Sequence, residues 1–275
     1  MKIALMLLLG LSLVTAVFAA PSTGSKAVVE WVAHRGESHD APENTLAAYT
    51  LAWERGVPAA ELDVHLTKDG QLILIHDATT KRTAGVDLIV KNSTVEELQK
   101  LDVGSWKNPK YAGEKMPLLE DVLKAMPDGR KMYVEVKVGA EAVPELVRVL
   151  KKVGKKPEQT PVISFKLDTC IATKKAMPEL KVYYLASQKQ NKDTGKWSPA
   201  NQELIALAKQ HGFDGLDLSY KGPIDADFVK AAKAQGLEFL VWTIDDPAEA
   251  KRMIDAGVGA ITSNRPAWLA EQVKQ

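Results

Sequence analysis

From residue 28 onward, eight short apolar runs alternate with amphipathic segments, and this alternation limits the folds open to the chain more than any other feature. The runs are VVEWVAH (28–34), AAELDVHL (59–66), KMYVEVK (131–137), PVISF (161–165), KVYYLA (181–186), GLDLS (215–219), EFLVWTI (238–244) and GAITSN (259–264). Most are rich in Val, Ile and Leu and bounded by Gly, Pro or charged clusters, as strands covered on both faces should be. Between them lie segments such as ENTLAAYTLAWERG, EAVPELVRVLKKVG and PAEAKRMIDAG, each ending in Gly, a common helix terminator. Eight strands alternating with helices predict an α/β fold, a closed parallel (β/α)8 TIM barrel rather than two doubly wound halves. QLILIHD (71–77) follows the turn pair Asp69-Gly70 and is expected to form a hairpin with strand two. Residues 78–118 then read as an irregular excursion over the barrel mouth, with a short helix near 94–100. The whole of 28–275 reads as one domain.

The first residues have another character. Met1-Lys2 carries one positive charge, residues 3–19 carry none, and Val17 and Ala19 stand at the spacing a signal peptidase reads. Residues 1–19 are expected to be a signal peptide cleaved near Ala19/Ala20, with 20–27 a short N-terminal arm. The run is at the short edge of the roughly 20 apolar residues an anchor needs, so no stable membrane insertion is expected after cleavage. The protein should be exported, to the periplasm or fully secreted. Without Lys2 the 36 basic residues become 35, equal to the 35 acidic ones. That balance argues against a nucleic-acid partner or an anionic membrane surface, which demand many cationic contacts. The single Cys170 cannot form an internal disulfide, so stability must rest on core packing.

Polar residues concentrate where the strands end, and a barrel builds its active site from those ends. The first strand runs into His34-Arg35-Gly36, the hairpin strand into His76-Asp77, and the third full strand into Glu135-Val136-Lys137. Alternation sends Glu61 and Asp63 to one face of strand two. Three carboxylates at one mouth repel unless a cation neutralises them. An oxygen-only set points to a hard divalent ion, Ca²⁺ or Mg²⁺, rather than Zn²⁺. The same acids also fit a metal-free core of salt bridges with Arg35 and Lys137. Two histidines remain for proton transfer near neutral pH. With Arg35 and Lys137 available for an anion, the set points to phosphoester chemistry.

Taken in order, these pieces resemble a known family. His34-Arg35-Gly36, Ala41-Pro42-Glu43-Asn44-Thr45, Glu61-Leu62-Asp63-Val64, Thr67-Lys68-Asp69-Gly70 and His76-Asp77 look like the signature of glycerophosphodiester phosphodiesterases. Met116-Pro117-Leu118-Leu119-Glu120-Asp121, Glu135-Val136-Lys137, Val241-Trp242-Thr243 and the closing Thr262-Ser263-Asn264-Arg265-Pro266 follow in the expected order. The resemblance implies metal-dependent hydrolysis of small-molecule glycerophosphodiesters, such as glycerophosphocholine or glycerophosphoethanolamine, to glycerol 3-phosphate and an alcohol. By the same resemblance Glu61, Asp63 and Glu135 bind one divalent cation. His34 and His76 form the acid/base pair, Arg35 and Lys137 hold the phosphate, and Trp242 lines the glycerol side. Glu43 is implied as a fourth ligand or a supporting partner. Many relatives place an acid after the final Thr, where this chain reads Ser263-Asn264.

Two other readings stay open at this point: a lipid-acting, sphingomyelinase D-like barrel, and a non-catalytic barrel that binds phosphodiesters. Outside the candidate set, His39 reads as a loop residue and His65 as packing turned away from the acid pair. His211 reads as a favourable charge at a helix end. Cys170 reads as a small buried residue, and Asp217 as polar barrel filler or a site residue.

Overall fold

The computed structural model describes residues 29–274, so the expected signal peptide and arm lie outside the described residues. The described residues hold eleven strands and ten α-helices. The strands are β1 (Glu30–Ala33), β2 (Ala59–Leu66), β3 (Leu72–Leu74), β4 (Lys131–Val136), β5 (Val162–Ser164), β6 (Val182–Ala186), β7 (Lys189–Gln190), β8 (Trp197–Ser198), β9 (Gly215–Ser219), β10 (Glu238–Trp242) and β11 (Ala260–Ser263). The helices are α1 (Leu46–Glu54), α2 (Lys81–Ala84), α3 (Val95–Gln99), α4 (Leu119–Ala125), α5 (Val143–Val153), α6 (Leu167–Ala176), α7 (Asn201–Gln210), α8 (Ala226–Ala234), α9 (Pro247–Ala256) and α10 (Pro266–Gln272).

Eight strands pair in parallel in the order β1-β2-β4-β5-β6-β9-β10-β11 and close when β11 pairs with β1. The expected barrel is therefore present, and each of its strands falls within an apolar run of the sequence. Alternation sorts the side chains. Leu62, Val64, Val134, Val136, Leu216 and Leu218 face the surrounding helices, in the main core. Val32, Ala59, Tyr133, Ile163, Tyr183, Leu185, Leu240 and Ala260 fill the barrel interior.

Beneath that filling, polar pairs close the floor at the N-terminal end. Lys131 Nζ pairs with Glu30 (2.7 Å), whose other oxygen accepts from Tyr133 (2.6 Å). Glu238 accepts from Tyr183 (2.9 Å) and pairs with Lys181. An ion pair costs least at such a solvent-reaching end, where desolvation is incomplete.

β3 forms the expected hairpin, Leu72–Leu74 running antiparallel to Val64–Leu66. The excursion after it is more ordered than its sequence suggests. Ile73, Ile75, Val90, Leu98, Val103 and Met116 make a separate small core there. Its helix α3 is closed by a Thr94–Glu97 capping box. Lys107 Nζ and Tyr111 Oη then tie it to the main-chain oxygens of Ser38 (2.7 Å) and Asp40 (3.1 Å) in the first loop. The short helix expected near 94–100 is present as α3, but the apolar residues of the small core follow no shared helical or strand period, so the sequence does not announce that core. The β7–β8 hairpin was also not anticipated; its strands are two residues each and largely exposed.

Candidate active site

The first loop shapes the site through backbone conformation. Gly36 has φ +81°, and a Cβ there would lie 2.6 Å from the Ala48 carbonyl carbon of α1. Only glycine lets the chain press so closely on that helix. Arg35 takes φ +54°, and its main-chain N–H donates to Glu61 Oε2 (3.0 Å). Its guanidinium meets Asp63 (Nε–Oδ2 3.1 Å) and Glu43 (Nη1–Oε1 2.9 Å). Asn44, with φ +57°, donates to Asp63 Oδ2 (2.8 Å) and accepts from the Asp63 N–H (3.1 Å) and Tyr49 Oη (3.0 Å). Thr45 then caps α1.

Register assembles the carboxylates. β2 pairs with β4 so that Asp63 stands beside Glu135, and Glu61 precedes Asp63 on the same face. One oxygen from each of Glu61, Asp63 and Glu135 lies within 4.8 Å of the others, and all three residues are buried. Lys137 Nζ reaches Glu135 Oε1 at 2.6 Å and Asp63 Oδ1 at 3.3 Å. Burial, with the charges of Asp63 and Glu135, pushes the Glu61 carboxyl well above the usual carboxylate range. Burial and Asp63 likewise push Glu135 up to about 7. At Asp63 burial works upward too, but Arg35 and Lys137 outweigh it and hold that carboxyl at about 2.

Both histidines come to the same pocket. His34 Nδ1 lies 2.7 Å from Asn264 Oδ1. Asn264 Nδ2 is taken by Asp245 Oδ2 (2.5 Å), so its oxygen must face His34 and accept; His34 Nδ1 carries the hydrogen and Nε2 is left as a base. Asp245 is itself tied to the Asn264 N–H and Ser263 Oγ, both at 2.8 Å. Burial, then the charge of Arg35, lowers His34 to about 4. His76 Nδ1 is held by Asp77 Oδ1 (2.7 Å). Arg82 of α2 grips Asp77 Oδ2 (2.6 Å) and both oxygens of Glu43 (2.7 and 2.8 Å). An unbroken chain of pairs therefore runs from His76 through Asp77, Arg82 and Glu43 to Arg35.

The pocket has a volume of about 100 Å³ and two kinds of wall. His34, Arg35, Glu61, His76, Glu135 and Lys137 line one side, and Phe165, Leu185, Trp242 and Asp217 belong to the other. Phe165 and Trp242 meet edge to face at 5.5 Å. Asp63 lies fully buried behind Glu61 and Glu135.

A sequence profile of the glycerophosphoryl diester phosphodiesterase family matches residues 34–268, a span holding every residue named in this site. The chain belongs to that family. It is a phosphoric diester hydrolase. Among curated relatives, the glycerophosphodiester phosphodiesterase of Caldanaerobacter subterraneus subsp. tengcongensis is 35% identical over 249 residues, covering 89% of this chain and 97% of the relative. That of Bacillus subtilis is 32% identical, covering 86% and 83%. Among solved structures, an Oleispira antarctica phosphodiesterase in complex with the product sn-glycerol-3-phosphate superposes with a TM-score of 0.80 at 28% identity, covering 90% of this chain and 97% of the other.

The carboxylates of this glycerophosphodiester phosphodiesterase fit a divalent cation. Glu61 Oε1 is buried without a hydrogen-bond partner, Asp63 Oδ1 meets only the Lys137 ammonium at 3.3 Å, and the donor set is oxygen alone. Glu43 does not join that set, because its oxygens go to Arg35 and Arg82; of the two roles implied for it, the supporting one fits.

His65 needs a correction. It stands two residues after Asp63 and so shares the face of the acid pair instead of turning away. It is nevertheless outside the pocket lining, paired with Ile73 of β3 and bonded through Nε2 to the His76 carbonyl (3.1 Å). His39 is exposed and bonded to Asp40, and Cys170 is buried, as expected. Sequence reasoning missed Asn44, Arg82, Asp245 and Asn264 as supports and Phe165 as a lining residue. Asn44 and Phe165 carried a usable signal, one inside the Pro-Glu-Asn-Thr motif and the other just past a strand end.

Proposed function

We propose that the chain hydrolyses glycerophosphodiesters such as glycerophosphocholine and glycerophosphoethanolamine to glycerol 3-phosphate and an alcohol. Glu61, Asp63 and Glu135 hold one divalent cation, Ca²⁺ or Mg²⁺. The observation that carries this reading is the meeting, in one pocket, of an all-oxygen buried carboxylate cluster with two histidines whose Nδ1 atoms are both occupied. Each ring thus turns its Nε2 to proton transfer.

His34 takes the proton from the attacking oxygen, that of water or of the neighbouring glycerol hydroxyl. Its lowered pKa keeps it neutral and ready to accept near pH 7. His76 protonates the leaving oxygen. The contrast in partners supports this division, since the Asp77 carboxylate offsets the charge of an imidazolium and the neutral Asn264 amide does not. Arg35 and Lys137 place positive charge at the phosphoryl oxygens. When bound, the cation supplies further charge stabilisation as a Lewis acid.

Residues 1–19, with their lone charge and small-residue end, support an exported enzyme that meets its substrate outside the cytoplasm. The lipid-acting alternative calls for an apolar docking loop. The exposed Val86, Ile89 and Trp106 of the excursion stand among Lys81, Asp87, Lys91 and Lys107 and form no such run.

The test is release of glycerol 3-phosphate from both diesters after exhaustive chelation, then with Ca²⁺ or Mg²⁺ restored. Release that disappears on chelation and returns with the ion is expected. Full activity in the chelated protein would remove the metal from the proposal, and no release by folded, metal-loaded protein would remove the substrate class.

A further inference from the structure

One acid of the pocket takes no part in the machinery described so far. Asp217 sits on β9 between Leu216 and Leu218, which face the helices, so alternation turns it into the barrel. It is 2% exposed and lines the active-site pocket. Its register neighbours are Leu185 on β6 and Leu240 on β10, both apolar. Its Oδ1 is buried without a hydrogen-bond partner, whereas the acids of the opposite wall are met by Arg35 and Lys137. Trp242 is anchored to the same residue, its indole N–H donating to the Asp217 main-chain oxygen (3.1 Å). An unpaired carboxyl between leucines costs stability with no structural return.

We infer that Asp217 is a substrate-binding residue that receives a hydroxyl of the glycerol half of the diester. This rests on the reaction proposed above. Three chemistries could meet a lone buried carboxyl there. A metal ion needs several oxygen ligands, and among the described residues Asp217 belongs to no such group. A phosphate would meet a second acid and no cation. A hydroxyl both donates and accepts, and so does a neutral carboxylic acid. Burial, then the charge of Glu135, favours that neutral form by pushing the Asp217 carboxyl well above its ordinary value. Asp217 also lies two residues short of the end of β9, so it is deeper than Trp242, whose partner in register is Ser219. The glycerol end therefore enters first, and the alcohol faces the mouth.

The experiment compares wild type, Asp217→Leu and Asp217→Asn in the full chain loaded with Ca²⁺ or Mg²⁺. Calorimetry gives Kd for glycerol 3-phosphate, for propyl phosphate, which lacks the hydroxyls, and for phosphocholine. Asp217→Leu should weaken glycerol 3-phosphate about tenfold or more, the usual effect of deleting a buried hydrogen-bond partner. It should leave propyl phosphate and phosphocholine within about twofold, while Asp217→Asn, which still donates and accepts, keeps most of the affinity. Melting temperature supplies a second readout: Asp217→Leu should hold or raise it, because an unpaired acid is removed, whereas a structural acid would lower it. Equal weakening of all three ligands would place Asp217 with the metal cluster and overturn the assignment. So would loss confined to phosphocholine, or no loss at all. Wild-type release from glycerophosphocholine is measured alongside; its failure defeats the reaction, whereas its success with unselective binding defeats Asp217 alone.

Discussion

At the residue scale the two histidines are alike in chemistry and unlike in support. His34 leans on an amide that is held by Asp245, and His76 on a carboxylate that is held by Arg82. Replacing either with Ala should cost about 10²-fold or more in kcat with a far smaller change in KM, the scale of acid–base groups. Near-wild-type turnover in either variant would end its assignment. Asn264→Leu leaves the His34 ring without an acceptor for its Nδ1–H, so kcat should fall while the folded state persists. The pH profile follows from the sign of the shift. As the proposed base His34 must be neutral, and burial keeps it so down to about 4, well under the usual 6.5. Activity on its account should hold through pH 6 and fade only toward 4; a midpoint near 6.5 for that limb would contradict its burial. Both histidines were legible because each follows a strand-like run and precedes a charged residue. Asn264 was not, because its partner is 230 positions away and only barrel closure brings the two together.

At the scale of elements, a tight turn and a helix of four residues do the positioning. Gly36→Ala puts a methyl group against the α1 backbone and a side chain at positive φ. A loss of about 2 kcal/mol or more is expected from overpacking of this kind, read as a lowered denaturation midpoint. An unchanged midpoint would mean that α1 yields readily. Arg82 acts differently, joining Asp77 to Glu43 at the rim. Arg82→Ala should lower kcat for the diester by roughly tenfold, with Arg82→Lys failing to restore it, since an ammonium cannot make the bidentate pair. Full rescue by Lys would show that charge alone matters there. The strands themselves were plain from their Val, Ile and Leu content, and the Asp-Gly turn announced the β3 hairpin. The small core under α2 and α3 escaped notice because its apolar residues lie scattered across some forty positions with no shared period.

For the whole molecule, the closed barrel collects on one face what the sequence spreads from His34 to Asn264, and this would set a cation held by the three acids against protons. Glu135 and Glu61 hold their protons more tightly folded than unfolded. In the metal-free protein that contribution is complete below the ordinary carboxylate pKa of 4.5 and is lost as pH rises through about 7 at Glu135. A bound cation demands the opposite, ionised acids. Melting curves taken with chelator and with Ca²⁺ or Mg²⁺ at pH 5, 6.5 and 8 should thus diverge, the ion raising Tm little at pH 5 and most at pH 8. Parallel curves would refute the three-carboxylate site. Architecture at this scale was the most legible part of the sequence, because a strict alternation of strands and helices has few closed solutions.

The polar floor under the barrel has a kinetic side. Glu30, Lys131 and Tyr133 on one side and Lys181, Tyr183 and Glu238 on the other lie beneath the apolar filling, at the end of the barrel away from the pocket. With glycerol seated at Asp217 and the alcohol toward the opening, the two products cannot leave in either order. On that assignment the alcohol should depart first and glycerol 3-phosphate last, and departure can itself limit turnover. Glycerol 3-phosphate should then inhibit competitively against the diester, and the freed alcohol in a mixed manner. An enzyme arranged this way slows as its own phosphorylated product accumulates, and works fastest where something downstream removes it.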